Sequence, residues 1–202
     1  MPVSLLQILQ QQLDDQALGA LQQQTGADSS QVQNAVQAAL PMLLGGLAGN
    51  ASKAEGAQGL WAALAKDHDG GLLSNLDGFL GSAEAPQQGQ AILKHVLGGK
   101  QPQAEQALAG AAGLDTQKAG TMLAALAPMV MGMLGKMQDD QQIGDQQQLQ
   151  SLLAEEKQQL RQQPQTGGLL NMLLDEDGDG QVGMDEVVRR GGGLLSKFFG
   201  KR

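Results

Sequence analysis

Apolar positions recur at helical spacing along most of this chain, and no stretch alternates at period two for long enough to form a strand. Ser52 and Glu55 have the spacing of a capping box, opening a helix through Leu60, Trp61 and Leu64 that ends in the turn Asp67–Gly71. Leu72, Leu73, Leu76, Phe79 and Leu80 follow at helical spacing. Pro86 then opens a helix carrying Ile92, Leu93, Val96 and Leu97. Further on, Leu152, Leu153 and Leu160 mark an amphipathic helix reaching about Gln163. The only extended backbone expected is the few residues around Val182.

The pattern also repeats. Residues 20–47 lie over 107–134 without a gap, so that Gly26 meets Gly113, Asp28 meets Asp115, Pro41 meets Pro128 and Gly45 meets Gly132. Each copy reads as helix, turn, helix. The first helix stops at the glycine, and the aspartate caps the second, with Gln31 completing a capping box in the first copy. Proline inside the second helix removes a hydrogen bond, so Pro41 and Pro128 should kink or restart it. The apolar faces should meet in a core containing Val36, Leu40, Leu123 and Leu126. Gly45, Gly49, Gly132 and Gly135 offer small faces for closely packed helices. Continued between chains, that packing predicts a homo-oligomer.

Composition agrees with helices. Apolar residues make up 41% of the chain and aromatics only 2%, so Leu, Ala, Met and Val must fill the core, which suits helices better than sheets. The expected fold class is therefore all-α, a multi-helix bundle of two duplicated helix-turn-helix units, with a connecting helix and a C-terminal EF-hand-like segment. The boundaries fall at 1–138 for the helical domain, 139–166 for a polar linker and connecting helix, and 167–202 for the tail. A net charge of −8 and four aromatics speak against nucleic acid as the partner. The absence of cysteine excludes disulfides and thiol catalysis. The apolar stretches are too short and interrupted to cross a membrane, and the N-terminus lacks the features of a secretory signal. Cytoplasm is the default location, with leaderless export as the alternative.

One segment carries explicit chemistry. Residues 175–186 spell an EF-hand calcium loop. Calcium takes six to eight oxygens. Asp175, Asp177 and Asp179 supply carboxylates at the first, third and fifth positions, Gln181 a backbone carbonyl at the seventh, and Glu186 a bidentate carboxylate at the twelfth. Gly180 sits at the sharp turn, and Gly183 leaves room for a water. No second loop of this quality exists, so a lone hand should bind calcium weakly. Asp67-His-Asp-Gly-Gly71 has acids at its first and third positions but no closing glutamate, and reads as a helix-breaking turn. Zinc lacks ligands, because His68 and His95 are the only histidines. After Glu186 every charged residue is basic: Arg189, Arg190, Lys197, Lys201 and Arg202. They surround Leu194, Leu195, Phe198 and Phe199, a composition also compatible with peripheral membrane contact.

Gly-Ala-Asp at 26–28, the stretch at 38–47, Asp-His-Asp-Gly-Gly-Leu-Leu at 67–73 and Ala-Pro-Met-Val-Met-Gly at 127–132 resemble the YidB-like bacterial proteins, domain of unknown function 937. The resemblance covers roughly residues 5–138. It implies an all-helical bacterial protein without catalytic residues to carry over. The chain shows no nucleophile paired with a base and no phosphate-cradling loop, so an enzyme is not expected. The leading function class is a calcium-binding interaction or structural protein with a protein partner yet to be identified. The alternative is a helical regulator that contacts nucleic acid.

Overall fold

The computed structural model describes residues 4–163, except 68–70, 81 and 83. Nine α-helices follow one another among them: α1 (Leu5–Gln12), α2 (Asp15–Thr25), α3 (Ser29–Ala51), α4 (Ala54–Asp67), α5 (Leu76–Leu80), α6 (Glu84–Val96), α7 (Gln101–Ala112), α8 (Thr116–Asp139) and α9 (Gln146–Gln162). Short 3-10 turns occupy Gly71–Asn75 and Gly98–Lys100. The described residues contain no strand, so the fold is all-α.

The long helices α3 and α8 form the centre. Every residue of α8 from Met122 to Gly135 is buried, as a helix apolar on all sides requires. Val36, Leu40, Leu123 and Leu126 lie in the one large core cluster, as their spacing predicts. Helices α6 and α7 pack on α8, while α7 and α9 pack on α3. The expectation that no segment is long enough to span a membrane is corrected by α8. It runs 24 residues with a mean hydropathy of 1.3 over its most apolar window, but 83% of that window is buried inside the protein. Its apolar length serves the core.

Local punctuation follows the sequence closely. Gly26 and Gly113 end α2 and α7 in the left-handed region, at φ 62° and 66°. There a side chain would be strained. Asp28 and Asp115 cap α3 and α8 by accepting from the backbone N–H of Gln31 and Lys118. The two turns also hold one another. Gln31 Nε2 donates to the Gly113 carbonyl at 2.6 Å, and Lys118 Nζ donates to the Gly26 carbonyl at 2.9 Å. These donors occupy equivalent positions in the aligned segments, as do the acceptors.

Two local expectations change. The prolines do not restart a helix: α3 and α8 each continue through them, to Ala51 and Asp139. Pro128 leaves the carbonyl of Ala124, four residues back, without its usual N–H partner. Gly89 of α6 lies directly against that carbonyl, and a Cβ at Gly89 would run into it. The hydrogen in its place points at the oxygen, a weak C–H···O contact that lets α6 lie close against α8. Ser52 is the C-cap residue of α3 rather than the opener of α4. Its hydroxyl donates to the Gly49 carbonyl at 2.7 Å, and α4 begins at Ala54.

The glutamine-rich stretch before and within α9 fits a specific task. Gln150 Nε2 donates to the Ala51 carbonyl at 2.8 Å, and Gln146 Nε2 reaches the Ala54 carbonyl at 3.4 Å. The Gln150 amide thus satisfies the carbonyl of the last residue of α3, where intrahelical partners run out, and the Gln146 amide adds a long contact to the first carbonyl of α4.

Candidate functional site

The calcium-loop residues Asp175, Asp177, Asp179, Gln181 and Glu186 lie outside the described residues. So do residues 68–70 of the second acidic spot. Around it, α4 ends at Asp67 and the 3-10 turn begins at Gly71, as a helix-breaking turn requires. His95 is exposed on α6, and its carbonyl accepts from Asn50 Nδ2 at 2.7 Å. Among the described residues no three His, Cys, Asp or Glu side chains gather as a metal site.

Two arrangements in the body stand out instead. The first is a buried carboxylate. Leu149, Leu153 and Leu160 put the apolar face of α9 into the core, and Glu156 falls on the same face, only 4% exposed. Its two oxygens accept from the backbone N–H of Leu5, at 2.9 Å, and Leu6, at 3.1 Å. These are the first two donors of α1, which an isolated helix leaves unsatisfied. Ser4 Oγ accepts from Gln7 N, and Gln7 Oε1 accepts from Ser4 N, so the whole first turn is satisfied. A carboxylate at a helix N-terminus also opposes the positive end of the helix dipole. Glu156 therefore fastens α9 to α1 across a sequence separation of 151 residues. Beside it, burial holds the Lys157 ammonium below its usual pKa, and the nearby Arg161 and Lys100 charges push the same way.

The second arrangement is a groove. Helices α4 and α6 both pack against α3 and α8, with little contact between them. The space they leave has a volume of about 520 Å³. Leu47 and Met131 form its floor, Gly59 and Ala63 line it from α4, and Ala91 and Val96 line it from α6. Glu55, Asn50 and His95 supply its polar edge. Glu55 makes no ion pair among the described residues. A second cavity of about 490 Å³, between the 142–145 loop and α9, is polar and open.

Sequence reasoning identified neither arrangement. A charged residue at the i+3 position of a leucine stripe, as Glu156 follows Leu153, is a signal that could have exposed the first. Gly56, Gly59 and Ala63 at helical spacing hint at a small-residue face, but not at what faces it.

No curated protein and no solved structure matches the chain. The family described as "bacterial protein of unknown function (DUF937)" matches residues 7–137, which run from the middle of α1 to near the end of α8. The chain therefore belongs to this DUF937 family of bacterial proteins.

Proposed function

We propose that this protein is a non-enzymatic, calcium-binding interaction protein, with a helical body for docking or self-association and a C-terminal segment that binds one calcium ion. The observation that carries the reading is the register of residues 175–186. Three alternating carboxylates, the turn glycine and a closing glutamate all fall where calcium coordination needs them. Asp175, Asp177, Asp179, the Gln181 carbonyl and Glu186 are the ligands. Affinity for a lone hand is on the order of 10⁻⁵ to 10⁻³ M. Binding would stabilise the segment by about 2.7 kcal/mol when calcium reaches a hundred times its dissociation constant. Calorimetric titration of the full chain tests this. One binding event is expected, and Glu186→Ala should abolish it; an unchanged isotherm in that variant removes the assignment.

We also read the body as two copies of one helix-turn-helix unit. Equal caps, equal left-handed glycines and the reciprocal Gln31–Gly113 and Lys118–Gly26 bonds support a pseudo-twofold relation between the α2–α3 and α7–α8 pairs. Gly45, Gly132 and Gly135 are buried within one chain, so self-association would draw on other surfaces. Light scattering at tens of micromolar, with and without calcium, tests the oligomer.

A further inference from the structure

We propose that the groove between α4 and α6 is the docking site of the basic, apolar segment 187–199 of this same chain. The groove is a gap in the bundle: its two flanking helices rest on α3 and α8 with little contact between themselves. Gly59, Ala63 and Ala91 present hydrogens and methyl groups, beside the larger Leu60, Ile92 and Val96, to a space of about 520 Å³ over Leu47 and Met131. Small wall residues over an apolar floor accept large side chains from a helix laid between them.

The segment has the complementary pattern. Leu194, Leu195, Phe198 and Phe199 are spaced to share one face of a helix, with Ser196 and Lys197 turned from it. Charge favours the same pairing. The chain after Glu186 carries five bases and no acid, whereas acids outnumber bases in the chain before Gln163. Glu55, a carboxylate without an ion-pair partner among the described residues, stands at the groove's edge. The tether allows it as well. Roughly 30 residues separate Gln163 from Leu194, with an extended reach on the order of 100 Å, so every point on the body is accessible. Such a linker holds the segment at an effective concentration of about a millimolar, enough to populate an individually weak contact. This inference does not depend on the calcium loop, because the docking elements lie outside it.

The test uses the absence of cysteine. A spin label is placed on the full chain as Ser196→Cys, in buffer with a calcium chelator so that the outcome is separate from ion binding. Amide resonances of residues 59–63 and 91–96 should lose most of their intensity. They should recover it when Phe198→Ser and Phe199→Ser are added, or when Ala91→Trp fills the groove from an exposed position. A mixture of labelled and isotopically enriched chains distinguishes a second copy: broadening only in that mixture overturns the intramolecular assignment. Unbroadened groove amides overturn it too, including the case in which the segment sediments with anionic vesicles while the groove stays unchanged.

Discussion

Replacing Glu156 with glutamine removes one charge while keeping the shape of the α9 face. In the parent, both carboxylate oxygens accept, from Leu5 N at 2.9 Å and Leu6 N at 3.1 Å, at a position only 4% exposed. Glutamine offers one accepting oxygen and turns an NH2 group towards the other N–H. One hydrogen bond to a charged group is then lost, worth about 1.5–3 kcal/mol, and one buried donor is left facing another. The expected cost is about 2–3 kcal/mol for Glu156→Gln. Glu156→Ala leaves both donors unsatisfied and should cost about 3–5 kcal/mol. What holds α1 otherwise is the burial of Leu5, Leu6 and Leu9, each contributing about 1.5–3 kcal/mol. The helix should therefore loosen rather than leave the body. Urea denaturation followed by circular dichroism measures the global loss. Amide exchange at Leu5 and Leu6 reports the local one, and should accelerate more than exchange along α8. If Glu156→Gln falls within about 0.5 kcal/mol of the parent, the scale of a neutral surface change, and those two amides stay as slow as before, the carboxylate is not what fastens α1 to α9.

Two further predictions concern the bundle. Gly89→Ala should destabilise by about 1–3 kcal/mol or more, because its Cβ meets the backbone carbonyl of Ala124 and neither helix can yield cheaply. Gly110→Ala on α7, with open space around it, should instead gain about 0.5–1 kcal/mol, and equal effects at the two sites would refute the close contact. The Ser30 hydroxyl and the Gln31 N–H bonded to Asp28 hold its carboxyl below the ordinary 3.8. A depressed carboxylate contributes stability that is present above 3.8 and is lost as pH falls through the lower folded value. Acid denaturation should therefore separate the parent from Asp28→Asn, which still caps the helix but does not titrate. Identical acid profiles would remove the assignment.

The sequence by itself determined the short-range structure: which residues cap, which turn, and where most helices start and stop. Gly26, Asp28, Gly113, Asp115 and the Gln31 capping box act on neighbours within about four residues, so their partners are present in any context. The calcium-loop pattern is legible for the same reason, since all its ligands lie within one short run. Tertiary structure decided what needed distant partners. That α3 and α8 continue through Pro41 and Pro128, and that Gly89 of α6 lies against the carbonyl freed at Pro128, are matters of the surrounding core. Whether the most apolar helix was a membrane span or a core element depended on the layers of helix packed around it. Glu156 became a fastening point only when the fold brought two otherwise unsatisfied N–H groups of α1 to it from the N-terminal end of the chain. The groove is a relation between α4 and α6 that neither segment encodes alone, because it is set by how each rests on α3 and α8.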